Sequence, residues 1–234
     1  MQKLSKPELI LALDVDTLEE AQRFVDKLYP KIKIFKVGSQ LFTAYGPGII
    51  ECLHQKGAQV FLDLKYFDIP NTVAAAVAVA VRLKVKMLTL HICGGEAMLA
   101  AAVESARQQA ERLQVVRPLL IGVTVLTSQP AMPGEVLTLA KQGIDCGLDG
   151  VVCSVNEVAA LHGRIKKDFK TVTPGIRPDN AAQDDQKRTA TVSQAVEAGS
   201  DFLVIGRPIL KAADPLLQTE TLLADLSCPH KKQD

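Results

Sequence analysis

The strongest constraint on this chain is an alternation repeated along its length: short, continuous apolar runs separated by longer stretches with helical period. The runs are Leu9–Leu13, Ile32–Val37, Gln59–Leu64, Met87–His91, Leu119–Val125, Gly150–Cys153, Lys170–Thr173 and Phe202–Ile205. Between them lie amphipathic stretches such as Thr17–Leu28, Thr72–Leu83, Glu96–Leu113 and Ala190–Ala198. Runs that are apolar throughout, with no polar residue at every second position, are the mark of strands buried on both faces, as in a parallel sheet covered by helices. Eight such strands close a (β/α)8 TIM barrel, which needs roughly 200–250 residues. The 234 residues here fit that size, and no Pro/Gly/Ser-rich linker divides them, so a single domain over 1–234 is expected. An open doubly wound sheet is the runner-up. Thr17 followed by Glu20 is a capping-box pattern for the first helix. Ala74–Val81 is almost entirely Ala and Val, which fits either core burial or an oligomer interface.

Most runs end, at the carboxyl side, in residues foreign to a core: Asp14, Lys36, Asp63 with Lys65, His91, Thr124 with Thr127 and Ser128, Ser154, Thr173-Pro174-Gly175, and Gly206-Arg207. The active site of a barrel enzyme is assembled at that face. Burying an unpaired charge is expensive, so these groups must pair with one another or meet a ligand. Strand alternation puts Phe61, Asp63 and Lys65 on one side, as it does Ile34 with Lys36 and Ala12 with Asp14. Asp68 completes an Asp63-x-Lys65-x-x-Asp68 pattern. A structural ion-pair network is the alternative, but several charges gathered at one barrel mouth favour chemistry. The loops after strands seven and eight, TPGIRPDNAAQDDQ and IGRPI, have the composition of a phosphate site. Gly175 and Gly206 allow close approach, Arg177 and Arg207 offer forked donors, and Pro208 suits the first turn of a helix. Arg177–Gln186 has the composition of a lid.

Other classes lose support. Net charge is +1 and there is no Trp, so nucleic acid is not an expected partner. No GxGxxG follows the first strand, no Walker sequence occurs, and Ser128 and Ser154 lack a GxSxG setting. Cys52, Cys93, Cys146, Cys153 and Cys228 show no CxxC or zinc spacing, which predicts reduced, buried thiols and no metal site. The amino-terminal stretch lacks the features of a signal peptide, and no apolar run reaches the ~18 residues of a membrane span. A cytoplasmic protein without membrane contact is expected. His91 reads as a hydrogen-bonded structural imidazole, and His54, His162 and His230 as solvent-facing.

The segments LALDVD, FKVG, FLDLKYFDIPNT, VTVLTS, GLDGVVCS, VTPGIRP and VIGRPI, in this order over about residues 9–210, resemble the successive signatures of the bacterial orotidine 5′-phosphate decarboxylase family. DLKxxDIPNT is the most specific of them. The resemblance implies conversion of orotidine 5′-monophosphate to UMP and carbon dioxide with no cofactor, in a homodimer with shared active sites. It implies Lys36, Asp63, Lys65 and Asp68 as the charged catalytic array, with Lys65 as proton donor to C6. It also implies Asp14 and Lys36 at the ribose, Thr127 by the pyrimidine, and Arg177, Gln186, Gly206 and Arg207 at the phosphate. Asp68, Ile69 and Thr72 are implied to reach the neighbouring subunit's site. Between Thr127 and Cys146 the chain looks shorter than many relatives, so a trimmed helix after strand five is expected. Two rivals share the scaffold. A magnesium-dependent sugar-phosphate decarboxylase would want an acid where Lys36 stands, and a phosphosugar isomerase would want a base such as Glu at a strand end. A non-catalytic phosphate binder would have no use for the Lys/Asp cluster.

Overall fold

The computed structural model describes residues 6–132, 134–177 and 189–227. Its strands are β1 (Glu8–Ala12), β2 (Ile34–Gly38), β3 (Gln59–Tyr66), β4 (Met87–His91), β5 (Leu119–Val123), β6 (Gly150–Val152), β7 (Lys170–Thr173) and β8 (Phe202–Ile205). They pair in sequence order, all parallel, and β8 closes on β1 with Leu9 opposite Leu203 and Leu11 opposite Ile205. This is the (β/α)8 barrel expected from the eight runs, and the open sheet is ruled out by that closure.

Why the runs are apolar throughout is visible in where alternate residues go. Ile10, Ala12, Ile34, Phe61, Met87, Ile121, Val172, Phe202 and Val204 form one buried cluster, the barrel interior. Their neighbours in sequence, such as Leu9, Leu11, Phe35, Val60 and Leu62, belong to a second cluster beneath the helices. Each strand therefore buries both faces, and at roughly 25 cal/mol per Å² of apolar area this two-sided burial dominates the stability.

The helices are α1 (Leu18–Leu28), α2 (Ser39–Tyr45), α3 (Gly48–Gln55), α4 (Pro70–Arg82), α5 (Glu96–Leu113), α6 (Glu135–Asp145), α7 (Val155–Arg164), α8 (Val192–Ala198), α9 (Arg207–Leu210) and α10 (Pro215–Asp225). Thr17 caps α1 by accepting the Glu20 N–H at 3.2 Å. At α8 the reciprocal box is complete: Thr191 Oγ1 accepts the Gln194 N–H, and Gln194 Oε1 accepts the Thr191 N–H. The helix after strand five, α6, has 11 residues, or three turns. In α4, Val73, Val77, Ala80 and Val81 are buried, and the Ser105 hydroxyl of α5 donates to the Ala74 carbonyl at 2.6 Å. Its other side, carrying Thr72, Ala75, Val79 and Arg82, is exposed.

Two aspartates stitch the amino-terminal end of the barrel. Asp149 pairs with the Arg117 guanidinium and accepts the Leu120 N–H at 2.8 Å. Asp201 pairs with Lys170 at 2.7 Å and accepts the Thr171 N–H at 2.9 Å. Each carboxylate, placed just before its own strand, thus satisfies an amide at the start of the preceding strand, at the face opposite the carboxyl-terminal loops. Asp149→Ala is expected to lower stability by about 1–3 kcal/mol, roughly 2–12 °C in unfolding midpoint, with kcat unchanged. Thermal melts beside steady-state kinetics check it.

Candidate active site

At the carboxyl end of β1, β2 and β3, four charges form a chain of alternating sign. Lys36 Nζ lies 3.1 Å from Asp14 Oδ1 and 3.5 Å from Asp63 Oδ2. Lys65 Nζ lies 2.9 Å from both Asp63 oxygens. The side chains of Lys36 and Asp63 are each 12% exposed, that of Lys65 36%, so the array turns from the protein interior toward the cavity. Burial alone pushes the Asp63 carboxyl up. The Lys36 and Lys65 ammoniums, with hydrogen bonds from Lys65 and Thr89, outweigh burial and hold it below the ordinary carboxylate range. Asp63 is therefore an anion that fixes two cations.

Lys65 does not arrive by plain alternation, as the sequence pattern implies. Leu62 stands opposite Leu88 and Tyr66 opposite Leu90, so Asp63, Leu64 and Lys65 face Thr89 alone. The surplus bulges out, and Lys65 adopts a φ of 51°, in the left-handed region. For a residue with a Cβ this costs about 1–2 kcal/mol. The ammonium still meets Asp63, but by way of a bulge that re-aims the chain end.

The array lines one wall of a cavity of about 250 Å³. Arg177, Gly175, Gly206 and Arg207 come from the loops after β7 and β8, Thr127 and Leu126 from the loop after β5, and Ala12, Phe61, Val172 and Val204 make an apolar floor. The cavity thus joins a charged wall to a cationic one over an oily base. Pro208 sits in the first turn of α9, but that helix is a single turn. Asp14, Lys36, Asp63, Lys65, Thr127, Arg177, Gly206 and Arg207 are brought together as expected. Asp68, Ile69 and Thr72 are not in this cavity: all three are exposed, Ile69 to 66%. Gln186 and the rest of the expected lid beyond Arg177 lie outside the described residues.

Several readings of the sequence need correction. His91 packs its ring against Phe67, with centroids 5.8 Å apart, and shows no side-chain hydrogen bond among the described residues. Burial, with Lys65 nearby, lowers its pKa. His54 is half-buried on α3, where burial and then Lys84 lower its pKa. His162 is exposed, as expected, and stacks on Phe169. The described cysteines are free thiols, but only Cys153 is buried, and Cys93 is exposed because it sits in the loop after β4. Cys228 and His230 lie outside the described residues.

The comparisons with known proteins agree with one another. A match to the "Orotidine 5'-phosphate decarboxylase / HUMPS family" spans residues 7–222. The chain belongs to this family. An orotidine 5′-phosphate decarboxylase of Vibrio cholerae serotype O1 is 46% identical, over 95% of this chain and 100% of its own length. One of Saccharophagus degradans is 46% identical over 94% and 95%. The crystal structure of the Lactobacillus acidophilus orotidine 5′-phosphate decarboxylase superposes with a TM-score of 0.83 at 36% identity, covering 95% of this chain and 99% of that one.

Two contributors escaped the sequence reading of this family member: Thr89, treated below, and Gly38. A Cβ at Gly38 would stand 3.3 Å from Lys36 Nζ and 3.8 Å from Asp14 Oδ1. Its φ of −94° and ψ of −175° suit any residue, so only crowding of the ammonium opposes a side chain there. Gly38→Ala is expected to cost about tenfold in kcat/KM, near 1.4 kcal/mol in the transition state, with the unfolding midpoint almost unmoved. Comparing kinetics with thermal melts checks this.

Asp63 also predicts a pH dependence. Because its folded pKa is depressed, its stabilisation is complete above the ordinary value of 3.8 and is lost as pH falls through the lower, folded value. The stability difference between the wild type and Asp63→Asn is expected to be constant near neutrality and to shrink below pH 3.8. Denaturant titrations at a series of acid pH values measure it.

Proposed function

We propose that this chain decarboxylates orotidine 5′-monophosphate to UMP and carbon dioxide, the last step of de novo pyrimidine synthesis, without metal or organic cofactor. The observation that carries this reading is the Asp14–Lys36–Asp63–Lys65 array facing two arginines across one small cavity. The names of the relatives point the same way.

The chemistry follows from the residue types. The bond from C6 to the carboxylate breaks, its electron pair stays on C6, and carbon dioxide leaves. That pair then takes a proton from the Lys65 ammonium, which becomes a neutral amine and regains its proton from water. Losing carbon dioxide leaves a localised carbanion with no conjugated sink, so a cation beside C6 is the main help available. Two unit charges about 4 Å apart interact by roughly 4 kcal/mol at an effective dielectric near 20, or about three powers of ten in rate if felt only in the transition state. The remainder comes from remote contacts that order the site and expel water. In this scheme Arg177, Gln186, Gly206 and Arg207 hold the phosphate, Asp14 and Lys36 the ribose hydroxyls, and Thr127 the pyrimidine edge. Asp63 orients Lys65 and crowds the substrate carboxylate.

The same reading makes the enzyme a cytoplasmic homodimer of single-domain subunits, in which Asp68, Ile69 and Thr72 complete the neighbour's site. Their exposure and their absence from the lining of their own cavity support that arrangement. The magnesium-dependent rival is disfavoured because the Lys36 ammonium sits 3.5 Å from Asp63, where a divalent cation would need another acid. The isomerase is disfavoured because, among the described residues, no Glu lines the cavity.

The test is the fall in absorbance as orotidine 5′-monophosphate becomes UMP, run with and without a chelator. Turnover indifferent to the chelator is expected, whereas no turnover refutes the proposal and chelator sensitivity revives the magnesium rival. Lys65→Ala is expected to lose at least about a thousandfold in kcat while UMP still binds within about tenfold of the wild type. Substantial residual carbon dioxide release would sink the proton-donor role.

A further inference from the structure

The side chain of Thr89 is fully buried, in the middle of β4, and belongs to neither of the two apolar clusters. It stands opposite the β3 bulge, where three residues face one. There the regular ladder fails, and the Lys65 N–H needs an acceptor. Thr89 Oγ1 supplies it at 2.9 Å. The same hydroxyl donates its single proton to Asp63 Oδ1, also at 2.9 Å. Asp63 in turn accepts from Lys65 Nζ. The bonds form a closed ring: Lys65 N–H to Thr89 Oγ1, Thr89 O–H to Asp63, and Lys65 Nζ back to Asp63.

We infer that Thr89 is a positioning residue for Lys65, its hydroxyl tying the main chain of that residue to the same carboxylate that holds its ammonium. The inference rests on the proposed function for its catalytic meaning, but the ring itself does not. A lysine side chain has four rotatable bonds and holds no fixed place by packing alone. Here both its ends are tied to the same acid, the ammonium directly and the main-chain N–H through one atom that both donates and accepts. Thr89 is itself pinned in the β4–β5 ladder opposite Ile121, so the tie is anchored in the barrel wall and not in a loop. A hydroxyl meets both demands with one atom, where a valine of the same shape meets neither. Polarity also matters. Because the hydroxyl proton is spent on the carboxylate, the oxygen lone pairs are left for the backbone amide. Lys65 in the left-handed region is thereby held by a side chain of another strand.

The experiment compares Thr89→Val and Thr89→Ser with the wild type. Kinetics are run well below each unfolding midpoint, and hydrogen exchange of the Lys65 amide is read by NMR. Thr89→Val is expected to lower kcat by about ten- to a hundredfold with KM changed less than about threefold, since binding groups are untouched and only the proton donor is loosened. Its Lys65 amide should exchange at least about tenfold faster than in the wild type, while the Leu88 amide is unchanged. Thr89→Ser keeps the hydroxyl and should return kcat to within about threefold of the wild type. A Thr89→Val enzyme with wild-type kcat overturns the inference, as does a Thr89→Ser enzyme as slow as Thr89→Val. Failure of the wild type to turn over orotidine 5′-monophosphate would refute the proposed function instead. The ring would then stand or fall on Lys65 exchange alone, and unchanged exchange in Thr89→Val would overturn it.

Discussion

The carboxylate of Asp63 is the point on which the site depends. It is largely buried, and burial by itself would drive it toward the neutral acid. It remains an anion because ammoniums reach it from two strands and a hydroxyl from a third. The dependence is mutual. Two lysines converging on one spot would repel each other and lose their water, and the shared anion is what lets them stand together. Removing Asp63 would therefore leave two neighbouring cations with only Asp14, on Lys36, as counter-charge, as well as missing hydrogen bonds. This is a different matter from the ion pairs on the outer helices, whose partners are solvated and whose net worth is small.

The barrel makes such a concentration of charge affordable to build. Parallel strands deliver their carboxyl ends to one rim, and neighbouring strands lie about 4.8 Å apart, so side chains from three of them meet within ion-pair distance. Stability is arranged at the other rim, where Asp149 and Asp201 hold strand starts together without touching the cavity. The separation lets one end of the molecule carry strain, such as the backbone of Lys65, while the rest of the barrel holds the shape.

Much of this was legible in the amino-acid sequence for a physical reason. A charged residue closing an apolar run stands out, and that is how Asp14, Lys36, Asp63, Lys65 and Arg207 declared themselves. The strand limits agree to within about two residues, because two-sided burial marks each strand from end to end. The bulge was not legible: VFLDLKY reads as unbroken alternation, and nothing in β3 alone reveals that β4 supplies too few partners. Thr89 was hidden because threonine is an ordinary strand former, and its hydroxyl matters only through a residue 24 positions away. Gly38 stood only as part of the FKVG signature with no role of its own, since the lack of a side chain has meaning only once Lys36 is seen beside it. The placement of Asp68, Ile69 and Thr72 outside their own cavity was not derivable from spacing and came only from the family resemblance.

The floor of the cavity has a consequence for how this protein can change. Ala12, Phe61, Val172 and Val204 are at once the base of the cavity and members of the inner apolar cluster that fills the barrel. A substitution that deepens the pocket for a bulkier guest must hollow out the middle of the fold, at about 1 kcal/mol or more per methylene group removed. Selectivity at this base is therefore linked to thermal endurance, whereas the loops above, which carry Leu126, Thr127 and Arg177, are free of that coupling. Divergence toward new ligands should accumulate in the rim loops and leave the floor nearly invariant.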